Sequence, residues 1–175
     1  MTSFFDITST LPWPNAIGKR TAIGPLLGAA ESEAVSELAK TTPLILVITA
    51  TTAAAHNLAS ELPFFLSEHR EILLVPDWET LPYDNFSPHE DIVSDRLKAL
   101  SRLPTLETGI VIVSITTLMH RLAPRHFIDA GVLSLKTGDT LHAEQFVRNL
   151  TRNGYRSVDT VYEHGEFATR GSLLD

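Results

Sequence analysis

The segment from Gly24 to Glu33 is the first place where the residue types could bind a nucleotide phosphate. A phosphate loop needs glycines for a tight turn, a lysine that reaches the β- and γ-phosphates, and a hydroxyl that holds Mg²⁺. Gly24 and Gly28 are present, but the segment has no lysine, and Glu31 and Glu33 lie where an anion would bind. Acidic side chains in the first turn of a helix suit its dipole but repel phosphate. The segment therefore predicts an ordinary helix start that binds no nucleotide.

Other residue patterns that carry chemistry are equally weak. Asp77 follows the apolar run Ile72–Val75, as a Mg²⁺-holding aspartate would, but without a lysine-bearing loop this pattern indicates only a strand that ends in a loop. The chain has no cysteine, and its seven histidines lack H-E-x-x-H or H-x₃-H spacing, so no zinc site is indicated. Asp84, Glu90, Asp91 and Asp95 favour a solvated helix face over an acid–base pair or a cation site, and no G-x-S-x-G turn is present. We expect no catalytic, cofactor-binding or metal-binding residue.

Three apolar runs predict the strands that would position any site in the first part of the chain. They are Leu44–Thr49, Ile72–Val75 and Gly109–Ile115, and they are rich in β-branched residues. Near-continuous apolar strands favour a parallel sheet that is covered on both faces. The sequence therefore predicts an α/β fold built on a parallel sheet.

Helices are predicted between these strands, as a βαβ arrangement requires. Residues 29–40 and 51–62 supply two of them, and the second is expected to end before Pro63. A third is predicted to start at the S-P-H-E run 87–90, with serine as the N-cap, proline at the first helical position and glutamate at the third. This combination is a capping box.

After residue 125 the pattern becomes that of a second, smaller α/β unit. The predicted elements are a strand at 132–136, a helix at about 141–153 followed by Gly154 as its C-terminal cap, and strands at 157–162 and 167–174 joined by a turn at 164–165. The apolar pattern still continues at Leu173-Leu174-Asp175. We therefore expect this second domain to be incomplete and the sequence to be a fragment of a longer protein.

The net charge of −7 is unevenly distributed. Residues 1–119 carry 7 Lys and Arg against 14 Asp and Glu, whereas residues 120–175 carry 7 against 7. The acidic part would repel a phosphate backbone, which argues against nucleic-acid binding there. The chain has no apolar run of the roughly 18 to 20 residues that span a bilayer and no signal peptide at its start, so we expect a cytoplasmic protein.

Two segments have an unusually dense sequence of specific side chains. The first is D-W-E-T-L-P-Y-D-N-F-S-P-H-E-D at 77–91, whose aromatic residues between prolines favour a loop fixed by packing. The second is E-H-G-E-F-A-T-R-G-S-L-L-D at 163–175. In the second segment Arg170 lies on a predicted strand beside Gly171, where its guanidinium group is either an idle solvated charge or a contact for a partner.

On these two runs, together with T-L-M at 117–119 and G-Y-R-S-V-D at 154–159, the chain resembles the amino-terminal end of bacterial transcription-repair coupling factors. In that family the amino-terminal region is similar to the excinuclease component UvrB. The resemblance implies that residues 1–125 are a motor-like, RecA-like domain whose phosphate loop has degenerated. It implies that residues 126–175 are the first part of an inserted adaptor domain that docks the excinuclease component UvrA.

The function implied by the resemblance is non-catalytic docking. The module would recruit UvrA to stalled RNA polymerase in transcription-coupled nucleotide excision repair. Arg170 falls on a family position implicated in this docking, and Arg156, Glu166 and Phe167 are further candidates in the same region. ATP and Mg²⁺ binding, DNA translocation, and contacts with RNA polymerase and DNA would belong to other domains of the parent protein, whose C-terminal region is a further candidate contact.

Two alternative functions stay open at this point. One is a nucleotide-dependent enzyme domain that acts on DNA, which ATP binding by this chain would favour. The other is an autoinhibitory structural lid that holds the parent motor inactive. One surface could serve as both the lid and the docking site.

Overall fold

The computed structural model describes residues 11–14, 16–81, 83–132, 135–171 and 173–175. The described residues fall into two compact units. The first contains the chain up to Asp77 together with Arg102–His120, and the second contains Trp78–Ser101 together with Arg121–Asp175. The domain boundary predicted near residue 125 separates two domains defined by homology, whereas the two units are defined by their internal contacts. The boundary therefore stays a prediction.

The first unit is built on a three-stranded parallel sheet, as the apolar runs predict. The strands are β1 (Leu44–Thr49), β2 (Ile72–Val75) and β3 (Gly109–Ser114), and their spatial order is β1-β3-β2. The helices are α1 (Ala30–Thr41), α2 (Thr52–Phe65) and the short α4 (Ile115–Leu118). The chain is therefore an α/β protein with a small parallel sheet.

The core of this unit lies between α2 and the sheet. Leu58 and Leu62 of α2 are buried with Ile45 of β1 and with Ile110 and Ile112 of the central strand β3. Helix α1 packs on α2, and α2 packs on all three strands. The first unit therefore buries one continuous apolar core.

The prediction that the sheet is covered on both faces holds for β3 but is wrong for β1. All six residues of β3 are buried. In β1 the side chains alternate, and Leu44, Leu46 and Ile48 are 45%, 56% and 49% exposed. Strand β1 lies at one edge of the sheet, and its face with Leu44, Leu46 and Ile48 lacks the cover that the central strand has.

Two predicted helix boundaries are also wrong. Helix α2 does not end before Pro63 but continues to Phe65, where the amide of Leu66 still bonds to the carbonyl of Leu62 at 3.1 Å. Helix α3 spans Glu90–Arg102 and starts after His89, whose carbonyl accepts from the Val93 amide at 3.2 Å. The capping box that begins at Ser87 therefore does not form.

The second unit combines α3 up to Ser101 with the smaller α/β region. Its other helices are α5 (Arg125–Gly131), which the sequence analysis did not predict, and α6 (Ala143–Arg152). Its short strands are β4 (Arg156–Ser157), β5 (Glu166–Phe167), β6 (Thr169–Arg170) and β7 (Leu173–Leu174). The strand predicted at 132–136 includes residues 133 and 134, which lie outside the described residues.

The predicted cap of α6 is confirmed. Gly154 has a φ of 90°, the left-handed conformation that glycine adopts without strain. The amide of Tyr155 bonds to the carbonyl of Leu150 at 3.0 Å and that of Gly154 to the carbonyl of Thr151 at 3.1 Å. These two bonds are the pair that defines a Schellman motif. They end α6 and direct the chain into β4.

The loop before α3 is anchored by Trp78 but is not fixed by its other aromatic residues. The guanidinium carbon of Arg96, which is 1% exposed, lies 4.3 Å from the centre of the Trp78 ring. Tyr83 and Phe86 are 102% and 81% exposed, so the prediction that they fix the loop by packing is wrong. The carboxylate of Asp84 instead accepts from the Leu81 amide at 2.7 Å and holds the turn.

Candidate docking site

Arg170 is positioned by a β-hairpin rather than by the single long strand that the sequence predicts at 167–174. Strands β6 and β7 pair antiparallel, and Arg170 lies opposite Leu173. The amide groups of Ala168 and Asp175 each bond to the carbonyl of the other, at 3.1 and 2.9 Å. The chain reverses at Gly171, whose φ is 63°. Arg170 therefore lies beside a tight turn on an exposed hairpin.

The guanidinium group of Arg170 is partly engaged within the second unit. Its Nη2 donates to the carbonyl of Asp159 at 2.8 Å and to the hydroxyl of Thr160 at 3.0 Å. Within the described part of the chain, its Nη1 and Nε atoms make no hydrogen bond. A planar group held on one side, with donors left on the other, suits a bidentate contact with a carboxylate of a partner.

Arg156 faces carboxylates of its own unit. Its Nη2 lies 3.3 Å from Glu163, 3.4 Å from Glu166 and 3.9 Å from Glu90. Because three intramolecular acids already surround this cation, a carboxylate from a partner would be repelled. Arg156 is thus a weaker candidate than Arg170 for binding an acidic group.

Glu166 closes a turn instead of facing solvent. Its Oε2 accepts from the backbone amides of Tyr162 and Glu163 at 3.0 and 3.1 Å, and its side chain is only 11% exposed. These backbone hydrogen bonds, aided by the nearby Arg156 charge, lower the pKa of the Glu166 carboxyl below its ordinary value. Its role in this structure is to hold the turn at 162–166.

Phe167 belongs to the interior of the second unit. It is 3% exposed, as is the adjacent Ala168. A side chain that buried cannot touch a partner unless the strand opens locally. We therefore do not include Phe167 in the proposed contact surface.

The lowered pKa of Glu166 gives a testable pH dependence. A carboxyl group whose pKa is lower in the folded state stabilises the fold above its unfolded pKa, and this stabilisation is lost as the pH falls through the folded pKa. The amide NMR signals of Tyr162 and Glu163 should therefore shift between about pH 6 and pH 3 with an apparent pKa below that of an ordinary glutamate. The Glu166→Gln variant should lose this titration, whereas Glu144→Gln on α6 should keep it. Titration of both amides in Glu166→Gln would refute the assignment.

Sequence reasoning missed the residues next to Arg170. Asp159 and Thr160 accept the Arg170 hydrogen bonds. Both residues fall in the strand predicted at 157–162, but the strand there is only Arg156–Ser157. No local pattern marks a backbone carbonyl that accepts from an arginine ten or more residues away.

The segment from Gly24 to Glu33, which has no phosphate-binding lysine, has a defined geometry. Helix α1 begins at Ala30, so Glu31 and Glu33 lie in its first turn. Ser32 is 1% exposed, and its hydroxyl donates to the carboxylate of Glu61 at 2.7 Å. In a working phosphate loop such a hydroxyl holds Mg²⁺. In this chain it joins α1 to α2.

Asp77 is likewise engaged by neighbouring hydroxyl groups. Its Oδ2 accepts from Thr116 and Thr117 at 2.9 Å each, and from Thr52 at 3.4 Å. These threonines follow β3 and β1, so the carboxylate joins the chain segments at the carboxyl ends of three parallel strands. Among the described residues, no three His, Asp or Glu side chains cluster as metal ligands would.

Comparison with known proteins matches the last part of the chain, which lies in the second unit, to a named domain. Residues 133–175 match the family described as the UvrB interaction domain. Over 164 residues, 93% of its length, the chain is 42% identical to the transcription-repair-coupling factor of Escherichia coli (strain K12). The resemblance predicted from the sequence is confirmed. This chain is homologous to a segment of the transcription-repair-coupling factors.

Other transcription-repair-coupling factors give the same result. The protein from Haemophilus influenzae (strain ATCC 51907 / DSM 11121 / KW20 / Rd) is 43% identical over 154 residues, which are 87% of this chain. That from Myxococcus xanthus is 32% identical over 171 residues, or 90% of the chain. The matched segment is 14% of the length of the Escherichia coli and Myxococcus xanthus proteins and 13% of the Haemophilus influenzae protein. No helix among the described residues is long and apolar enough to cross a membrane.

Proposed function

We propose that this chain is the non-catalytic module through which a transcription-repair-coupling factor docks UvrA. Through this contact the parent protein would recruit UvrA to stalled RNA polymerase in transcription-coupled nucleotide excision repair. The observation that carries the proposal is the location of Arg170. It lies on an exposed hairpin inside the region that matches the UvrB interaction domain, with guanidinium donors left over from its intramolecular contacts.

The first unit, in this proposal, is a degenerate, RecA-like motor domain that now serves as a scaffold. Its parallel sheet is the architecture in which nucleotide sites form at the carboxyl ends of strands. The Asp77 carboxylate there accepts threonine hydroxyls, which supports a structural role. Ser32 on α1 likewise bonds to Glu61 on α2 rather than being left for a ligand. Motor activity with ATP and Mg²⁺, and contacts with RNA polymerase and DNA, are assigned in this proposal to other parts of the parent protein.

Direct binding tests the proposed function. Purified UvrA titrated into the intact protein should give saturable binding in isothermal titration calorimetry. A competing chain containing only the sequence 1–175 should weaken that signal if its second unit carries the contact. Absence of binding by the intact protein would refute the docking function.

A titration with nucleotide separates this proposal from the alternative of a nucleotide-dependent enzyme domain. Mg-ATP added to the 1–175 chain at millimolar concentration should give no heat beyond dilution, because Glu31 and Glu33 replace the lysine that would bind phosphate. Saturable binding tighter than about 1 mM, or about −4 kcal/mol, would contradict the scaffold role and favour the enzyme.

The autoinhibitory lid is compatible with docking if one surface serves both purposes. Binding of UvrA and contact with the C-terminal region of the parent would then be mutually exclusive. Arg170→Ala would weaken both contacts, whereas separate surfaces would let the variant affect only one.

A further inference from the structure

A groove in the second unit lies between α3 and the turn at 163–166. Its volume is about 440 Å³, within the range of sites that bind a side chain or a small molecule. Val93 and Leu97 of α3 line it together with Tyr155, and Leu97 and Tyr155 are 47% and 42% exposed. The groove therefore offers apolar and aromatic surface that the unit itself leaves partly uncovered.

The charges around this groove are predominantly acidic. Among the described lining residues, Glu90, Glu163 and Glu166 are acidic, Arg156 is the one arginine or lysine, and His164 faces Asp91 at 3.5 Å. Glu166 is occupied by the turn amides, but the side chains of Glu90 and Glu163 are 55% and 65% exposed. Their separations from the single Arg156 nitrogen, 3.9 and 3.3 Å, exceed those of a tight ion pair. The groove thus keeps a net negative charge that its own arginine does not neutralise.

A basic side chain from a partner fits this combination of surfaces. The aliphatic stem of an arginine or lysine packs on leucine and valine, while its charged end needs carboxylates. An aromatic ring such as that of Tyr155 adds a favourable cation–π contact. A phosphate or an acidic peptide would instead meet two exposed glutamates. Charge complementarity therefore selects a cationic occupant.

We propose that the groove between α3 and the 163–166 turn receives a basic side chain of UvrA, as a second anchor beside the Arg170 hairpin. The inference rests on the proposed docking function, which supplies the partner. The two sites are connected within one unit, because Arg156 at the groove is three residues before Asp159, whose carbonyl holds Arg170. Arg170 would bind an acidic group of the partner and the groove a basic one. Two contacts of opposite charge would fix the orientation of UvrA on the module as well as contribute to its affinity.

The test removes the two exposed charges of the groove without changing side-chain shape. The double variant Glu90→Gln, Glu163→Gln in the intact protein should bind purified UvrA about tenfold more weakly at low salt, and the difference should shrink as ionic strength rises. The matched control is Asp129→Asn, Glu144→Gln. It removes two acids of the same unit that also pair with arginines, at 3.3 and 3.7 Å, but lie outside the groove. The control should change affinity less than about twofold.

A second variant guards against an indirect effect of the glutamate changes. Tyr155→Leu keeps an apolar surface but removes the aromatic ring, and should weaken binding about three- to tenfold. Equal losses in the groove pair and the control pair would show general charge attraction and overturn the groove assignment. Wild-type affinity in both the groove pair and Tyr155→Leu would also overturn it. If Arg170→Ala weakens binding while the groove variants do not, docking stands and the groove inference fails; if the wild-type protein does not bind UvrA, both fail.

Discussion

Replacing Arg170 with alanine should weaken the binding of UvrA by roughly ten- to a hundredfold, the equivalent of losing about 1.5 to 3 kcal/mol from one charge-assisted contact. Among the described residues, Asp159 and Thr160 hold the guanidinium group in place through its Nη2 atom. Because its orientation is fixed before binding, little side-chain entropy is lost when a partner carboxylate arrives. Arginine is also enriched among the residues that dominate interface energetics.

The intramolecular bonds of Arg170 require a control of their own. Loss of the guanidinium group also releases the 159–160 loop, which could weaken binding indirectly. Thr160→Val removes one of the two bonds and keeps the charge, so it should bind UvrA within about threefold of wild type. If Thr160→Val binds as weakly as Arg170→Ala, loop position rather than the guanidinium carries the affinity.

A control arginine must lie outside the hairpin and make no strong contact. Arg148 meets this condition, because its exposed side chain makes a loose ion pair with Glu144, at 3.7 Å. Arg102 does not, because it donates to both carboxylate oxygens of Glu71 at 2.7 and 2.6 Å, a bidentate pair that lowers the Glu71 pKa. We expect Arg148→Ala to bind as wild type does. An equal loss in Arg148→Ala would contradict the assignment of Arg170.

The parallel sheet could be predicted because each of its strands is a short, nearly continuous apolar run in the sequence. Strand β3 contains four consecutive β-branched residues, Ile110 to Val113, which are buried on both sides of the strand. This pattern is typical of a central parallel strand. Strand β1, at one edge of the sheet, is also mostly apolar, yet one of its faces is exposed. Composition does not reveal which strand lies at the edge, since that depends on strand order.

The wrong boundary of α3 has a local cause. A serine, proline and glutamate in capping order are present at 87–90, but the Nδ1 of His89 accepts from the Asp91 amide at 3.3 Å. A histidine ring that supplies this acceptor competes with the serine cap at the start of the run. The helix then starts after His89. The capping pattern contains the correct residue types but does not include this competing acceptor.

The candidate site was only partly predictable for a different reason. Arg170 could be named from its sequence context, but its neighbours depend on the hairpin turn at Gly171, and the apolar residues from 167 to 174 are equally compatible with one strand. Because the hairpin was not predicted, the sequence also did not show that the side chains of Phe167 and Glu166 are largely buried within the unit. Pairing between short strands is set by tertiary contacts that no local pattern contains.

The largest effect on stability is expected for Gly109→Ala in the first unit. Gly109 has a φ of 150°, which residues with a side chain rarely adopt, and a Cβ atom there would lie 2.7 Å from the carbonyl oxygen of Glu71. That oxygen cannot move away freely, because it accepts from the Ile110 amide at 2.9 Å. The Gly109 amide in turn donates to the carbonyl of Pro43 at 2.8 Å. The substitution must therefore distort the point where β3 enters the sheet between its two neighbours.

Backbone strain and the steric clash together should lower the free energy of unfolding by about 2 to 4 kcal/mol. For a chain of this size that corresponds to a fall in Tm of roughly 5 to 15 °C, measurable by circular dichroism. Gly24→Ala is the matched control in the same unit, because a Cβ atom there meets nothing within 4 Å. Its Tm should change by no more than about 2 °C. If Gly109→Ala has the same Tm as Gly24→Ala, the carbonyl of Glu71 has room to move. The start of β3 would then be less tightly packed than these distances indicate.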